Sequence, residues 1–157
     1  MRPLIPKGGN DCFETPLYLC REIVSYFKPW GTILEPCKGA GNFLKYFGKG
    51  DWYEIKEGKD FMEATGHWNW IITNPPFSKY REFLNKSMQV AENIVFLQAI
   101  NAIFYKARLR DMMEMNFRIV EILLLDTPKE FPQGGLQMGC VYFKKDYKGD
   151  IKFNRLK

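Results

Sequence analysis

Asn74-Pro75-Pro76-Phe77 is a run of residues able to hold a flat amine. It follows Trp68-Asn69-Trp70-Ile71-Ile72-Thr73, whose aromatic and β-branched side chains predict a buried strand. Asn74 therefore stands at the carboxyl end of that strand. Each proline fixes its own φ and removes a donor. Asn74 and Pro75 each precede a proline, which biases both toward extended backbone. The Asn74 side chain and the Pro75 carbonyl are thereby held as two acceptors, with the Phe77 ring close by. That set fits a planar substrate carrying an NH2 group. An ordinary turn after a strand is the other reading of the tetrapeptide.

A second feature lies upstream. Thr32-Ile33-Leu34 predicts a short strand, followed by Glu35-Pro36-Cys37-Lys38-Gly39-Ala40-Gly41-Asn42-Phe43. Two glycines spaced two apart after a strand allow a tight turn and close approach of a ligand to backbone. Residues 42–47 can then open a helix. The dinucleotide fingerprint does not fit, because its third glycine position is Leu44. Nearer the start, Asn10-Asp11-Cys12-Phe13-Glu14-Thr15-Pro16 precedes a helical pattern with Leu19, Cys20, Ile23, Val24 and Phe27 on one side. Thr15 is placed to cap that helix and Pro16 to be its first residue.

These motifs resemble those of the amino-methyltransferases that use S-adenosylmethionine, and among them the phage and bacterial DNA N6-adenine methyltransferases. The family motif Asp/Asn/Ser-Pro-Pro-Tyr/Phe/Trp is matched by Asn74, Pro75, Pro76 and Phe77. The family's cofactor loop, acidic-x-x-x-Gly-x-Gly, is matched by Glu35, Gly39 and Gly41. The resemblance implies that the loop, with Pro36, Cys37, Asn42 and Phe43, wraps the methionine part of the cofactor. It implies that Glu54, near the end of a second strand Trp52-Tyr53-Glu54-Ile55, accepts the ribose hydroxyl protons, as acidic residues do in related nucleotide sites. An exposed strand-end charge is the alternative there. Asp60 and Phe61 resemble the pair that meets the adenine ring, or else form a solvated turn with a core aromatic. Thr15 and Pro16 lie in a segment that resembles the aromatic-x-Thr-Pro stretch closing over the cofactor's methionine end. The implied architecture is α/β: a Rossmann-like class I methyltransferase fold with a mostly parallel seven-stranded sheet, its last strand antiparallel, and helices on both faces. The resemblance covers most of residues 10–144.

Composition agrees with one compact domain over residues 1–157, which the resemblance implies is a methyltransferase domain. The hydrophobic fraction of 46% and aromatic fraction of 16% supply a packed core and exclude disorder. The rest of the chain alternates: helix over 78–92, strand over 93–97, helix over 102–115, strand over 118–125, loop over 127–135 and strand over 138–143. Such alternation predicts α/β layers. No apolar run reaches the length of a membrane span, and Met1-Arg2-Pro3 lacks the apolar stretch of a signal peptide. The cysteines at 12, 20, 37 and 140 are scattered and His67 is the single histidine, so no metal is expected. Free thiols in a cytoplasmic protein are the simplest reading. Pro36-Cys37 resembles the nucleophile of enzymes that methylate carbon 5 of cytosine, but it lies inside the glycine loop, where the cofactor belongs. The net charge of +5 gathers at the end of the chain, where residues 144–157 carry six basic residues against two acidic ones. A basic tail over 145–157 is expected either to touch a phosphate backbone or simply to solubilise the terminus.

The sequence thus points to S-adenosylmethionine-dependent methyl transfer to an exocyclic amine, with adenine N6 in DNA as the first reading. Asn rather than Ser at position 74 leans toward adenine N6 over cytosine N4. An RNA adenine methyltransferase, a protein glutamine methyltransferase and a non-catalytic cofactor-binding subunit remain open. So does dependence on a partner subunit or a homo-oligomer for target recognition, since little chain is left for a separate recognition region. No membrane partner is expected.

Overall fold

The computed structural model describes residues 13–157. Residues 10–12 of the segment preceding Thr15, Cys12 among them, lie outside those described. Helix α1 (Leu17–Phe27) buries Leu19, Cys20, Ile23 and Val24, the stripe its sequence spacing predicts. Strand β1 (Ile33–Glu35) leads through the glycine turn to the short helix α2 (Leu44–Phe47) and to β2 (Asp51–Trp52). Strand β3 (Trp68–Thr73) is followed by α3 (Tyr80–Val90), β4 (Ala91–Ala99) and α4 (Lys106–Glu114). The chain then forms β5 (Phe117–Leu124), β6 (Met138–Lys145) and β7 (Lys152–Arg155).

The seven strands make one sheet in the order β2-β1-β3-β4-β6-β5-β7. β2, β1, β3 and β4 run parallel, so their carboxyl ends share one edge. β6 is antiparallel to both its neighbours, β4 and β5. α1 and α2 cover one face, over Ile33, Trp70, Ile72, Val95 and Leu97. α3 and α4 cover the other, over Leu34, Ile71, Ile94, Phe96 and Phe143. Strands buried on both sides read as continuous apolar runs, which is how Trp70–Ile72 and Ile94–Leu97 appear.

The expected seven-stranded, mostly parallel sheet is present, but its seventh strand comes from an unexpected place. Residues 152–155, read as part of a basic tail, form β7, which adds to β5 in parallel. The backbone N–H of Leu156 bonds to the Leu124 carbonyl at 2.8 Å, and Asn154 Nδ2 donates to Glu121 Oε1 at 2.9 Å. All four residues of β7 are exposed, so no apolar alternation marked them as a strand. The antiparallel strand is accordingly β6 rather than the last in the chain. Several boundaries also differ: β2 stops at Trp52 rather than Ile55, α4 begins at Lys106 rather than 102, and β6 runs on to Lys145. α3 stops at Val90, and Ala91 and Glu92, expected in the helix, open β4. α1 begins after Pro16, and Thr15 makes no capping bond to it. Among the described residues, no helix is long and apolar enough to cross a membrane.

Candidate active site

The carboxyl ends of β1 and β3 stand side by side, and the functional groups gather there. Glu35 closes β1 and is 2% exposed. Its Oε1 accepts from the Cys37 N–H at 2.9 Å and from the Thr73 hydroxyl on β3. Burial pushes its carboxyl well above the ordinary range, against the opposing pull of those two donors. Glu35 therefore pins the start of the glycine loop to the strand that carries Asn74.

The loop beyond is held by carboxylates on its backbone. Gly39 N–H donates to Glu54 Oε2 at 2.9 Å, and Ala40 N–H donates to Glu14 Oε1 at 3.0 Å. Gly39 and Gly41 have φ of +53° and +81°, the region that favours glycine. The close approach is at Gly39, where a Cβ would lie 2.5 Å from Glu14 Oε1. Around Gly41 there is room, and only the backbone angle demands glycine. Glu54 also accepts from its own turn, at Lys56 N–H (3.1 Å), because β2 ends at Trp52 and Glu54 caps the turn Ile55–Glu57.

Residues 13–15 cross above both loops. Thr15 is buried, and its carbonyl accepts from Asn42 Nδ2 at 2.8 Å. The Phe13 carbonyl accepts from Asn74 Nδ2 at 2.9 Å, with Thr15 Oγ1 at 3.4 Å from the same nitrogen. This network assigns the Asn74 amide: nitrogen toward the 13–15 segment, leaving Oδ1 as the acceptor. It also explains why Thr15 does not cap α1, since its polar atoms are turned to the loops. The Phe13 ring lies between two others, 6.1 Å from Phe77 and 6.2 Å from Phe131.

These groups enclose a cavity of about 260 Å³, lined by Thr15, Glu35, Cys37, Gly39, Asn42, Phe43, Glu54 and Asn74 among the expected residues. Pro16, Pro36 and Gly41 are not among its lining residues. Asp60 and Phe61 are not brought to it. Asp60 Oδ1 caps its own turn at Met62 N–H (2.9 Å). Phe61 is 3% exposed and packs on Phe83 and Tyr53. Pro75 and Pro76 are buried and Phe77 is half-buried, and none of the three is among the residues lining the cavity. Phe13, the aromatic of the aromatic-x-Thr-Pro stretch, also lines the cavity, as do Glu14, Lys38, Lys56 and Glu57, which were not singled out in the sequence. Glu14 lay within a recognised segment, but the motif names only its neighbours. Lys38 is fixed by an ion pair with Glu57 (2.5 Å) and by the Trp52 ring (3.9 Å), which no sequence spacing announces. The cavity thus carries Glu14, Glu35, Glu54 and Glu57 beside Lys38 and Lys56, with Glu57 paired to Lys38 and the Glu35 carboxyl favouring its protonated form.

No protein-family model and no curated protein matches the sequence. Solved structures do match. A protein of Pyrococcus horikoshii, provisionally described as an RNA methyltransferase, is 15% identical, with a TM-score of 0.61 and 90% of each chain covered. The M protein of the type I restriction enzyme EcoKI is 13% identical with a TM-score of 0.62, over 87% of this chain and 44% of that one. The magnesium protoporphyrin IX methyltransferase of Synechocystis PCC 6803, solved with bound SAM, is 10% identical with a TM-score of 0.58, over 82% and 79%. The chain therefore has the class I methyltransferase fold, and it spans less than half the length of the restriction-enzyme M protein.

Proposed function

We propose that this chain is an S-adenosylmethionine-dependent methyltransferase acting on the N6 amine of adenine in DNA. The observation that carries the reading is the orientation of Asn74. Its amide nitrogen is spent on the Phe13 carbonyl, which leaves its oxygen as the acceptor of a residue that lines the cavity. The donor set fits the cofactor: Glu14, Glu35, Glu54 and Glu57 line the cavity, and carboxylates can meet an ammonium group and ribose hydroxyls. At about 260 Å³ it is slightly below the range of ~300–1,000 Å³ usual for ligand sites. The exposed Glu14 side chain lies over the loop and is the group that can move to enlarge it.

The cofactor would supply an electrophilic methyl group on a cationic sulfur, held by the glycine loop, Glu54 and the 13–15 segment. An aromatic amine is a poor nucleophile because its lone pair is delocalised into the ring. Asn74 Oδ1 and the Pro75 carbonyl accept hydrogen bonds from its two N–H groups and favour a pyramidal nitrogen with a localised lone pair. Positioning is then most of the catalysis. In a duplex the base must be flipped out, and Phe77 stacks on it. Recognition of a long site would need a partner subunit or a second copy. β3 and β4 are joined by one helical segment, as are β4 and β5, which leaves residues 125–137 as the sizeable loop.

Incubating the chain with methyl-labelled cofactor and, in parallel, DNA, RNA and protein, then locating the label, tests the proposal. Label on adenine N6 of DNA supports it. Label on RNA alone would favour the RNA reading, which the end-to-end match to the Pyrococcus structure keeps in view. Label on protein glutamine alone would replace both.

A further inference from the structure

We propose that the turn between β4 and α4 grips a nucleic-acid strand beside the target base. Phe104 and Tyr105 would act as stacking rings, and Lys79 and Lys106 as phosphate partners. The inference rests on reading Asn74–Phe77 as the base-binding motif. β4 runs three residues past the pairing of Thr73 with Phe96, so its end stands at the same sheet edge as Asn74. There the chain makes a single 3-10 turn, Ile100–Ile103, whose last residue is fully buried. The next two side chains point outward, Phe104 54% and Tyr105 61% exposed. Two adjacent aromatic rings left in water give up burial that nothing else in the fold recovers.

The turn is built rather than loose. Phe104 N–H bonds to the Asn101 carbonyl and Leu109 N–H to the Tyr105 carbonyl, each at 3.1 Å. Arg108 donates to the Ala102 carbonyl and lays its guanidinium over the Tyr105 ring at 4.6 Å and the Tyr80 ring at 4.5 Å. Tyr80 is three residues past Phe77, and its hydroxyl is held by Gln98 of β4 at 2.7 Å. A continuous packed path thus joins Phe77 to Tyr105, which fixes the exposed rings relative to the site. Lys79 and Lys106 make no ion pair among the described residues. Of the carboxylates on α3 and α4, Asp111 is held by Arg81 (2.6 Å) and Asn85 (3.1 Å), Glu114 lies 3.9 Å from Arg110, and Glu82 stands exposed. Rings that stack on any base, beside free lysines, are what a sequence-tolerant single-strand contact requires. The apolar side of the patch, with Leu109 and Met113, would also suit a protein partner. Lys106 and Arg110 in the patch, and the continuity with Phe77 through Tyr80 and Arg108, favour the nucleic acid.

Fluorescence anisotropy of a labelled single-stranded oligonucleotide of mixed sequence, titrated with the full chain, tests this. The double variant Phe104→Ala/Tyr105→Ala, shown folded by circular dichroism, should bind at least about tenfold more weakly, as expected for lost stacking. Lys79→Gln/Lys106→Gln should reduce the slope of log affinity against log salt by roughly 1.4, about 0.7 per phosphate lost. Wild-type affinity in the ring variant overturns the inference. So does failure of the wild type to bind the oligonucleotide, or a change in sedimentation of the ring variant with unchanged oligonucleotide affinity, which would mark a protein interface. Methyl transfer by the wild type is scored separately: ring-dependent binding without transfer would sink the proposed function and leave this contact standing.

Discussion

The two sides of the sheet are held together differently. From β4 to β5 the strands are eight or nine residues long, and β4, β5 and β6 are joined by long ladders and bury Phe96, Phe117 and Phe143 completely. On the other side β1 and β2 have three and two residues, and the loops they carry are fixed by single side chains bonding to backbone. Glu35, Glu54, Glu14, Asn42 and Asn74 each supply such a bond. The long side supplies rigidity by apolar burial. The short side is held in shape by polar side chains bonded to its loop backbone. Stability and binding should therefore be separable by mutation.

The largest effect is expected from the scaffold. Phe143→Ala removes a fully buried ring that meets Phe96 edge-on at 6.0 Å, and should cost about 3–5 kcal/mol in denaturant unfolding. A loss below 1 kcal/mol would mean that the long side does not carry the stability. Next comes Phe77, half-buried at the site. Phe77→Ala should weaken substrate capture by roughly 1–3 kcal/mol while leaving the unfolding midpoint nearly unchanged, and Phe77→Tyr should restore capture because the stacking face persists. Equal capture by all three proteins would place the base elsewhere.

The smallest effect sharpens the comparison through pH. The folded state holds the Glu35 carboxyl well above its ordinary value, so it favours the protonated form relative to the unfolded chain. The unfolded carboxyl ionises near about 4.3. Its contribution is present below that value and is lost as pH rises through the raised folded value. Thermal melts should thus show wild-type stability falling over that window. Glu35→Gln, which keeps an acceptor for Cys37 and Thr73, should fall less. Parallel pH profiles would remove the buried acid from the account.

Much of this was legible in the chain. The strand ahead of Asn74, the glycine turn after β1 and the α/β alternation are local patterns, and local patterns survive folding. The details that escaped depend on tertiary partners. Thr15 has the right position to cap α1, yet its atoms go to Asn42 and Asn74, which lie far away in sequence. β7 has no apolar period, since its stability comes from pairing with β5. Phe61 reads equally as ring-stacking or core residue, and the structure packs it on Phe83. The role of the Phe13 carbonyl has no side-chain signature at all.

In the proposed function Asn74, turned by Phe13, offers its oxygen to the amine that is methylated. Methyl transfer to DNA by Asn74→Ala, with cofactor affinity measured by calorimetry on the same preparation, tests it most directly. The expected result is cofactor binding close to wild type with turnover reduced roughly 10²–10³-fold, the scale of a lost transition-state hydrogen bond. Turnover within a few-fold of wild type would contradict the claim.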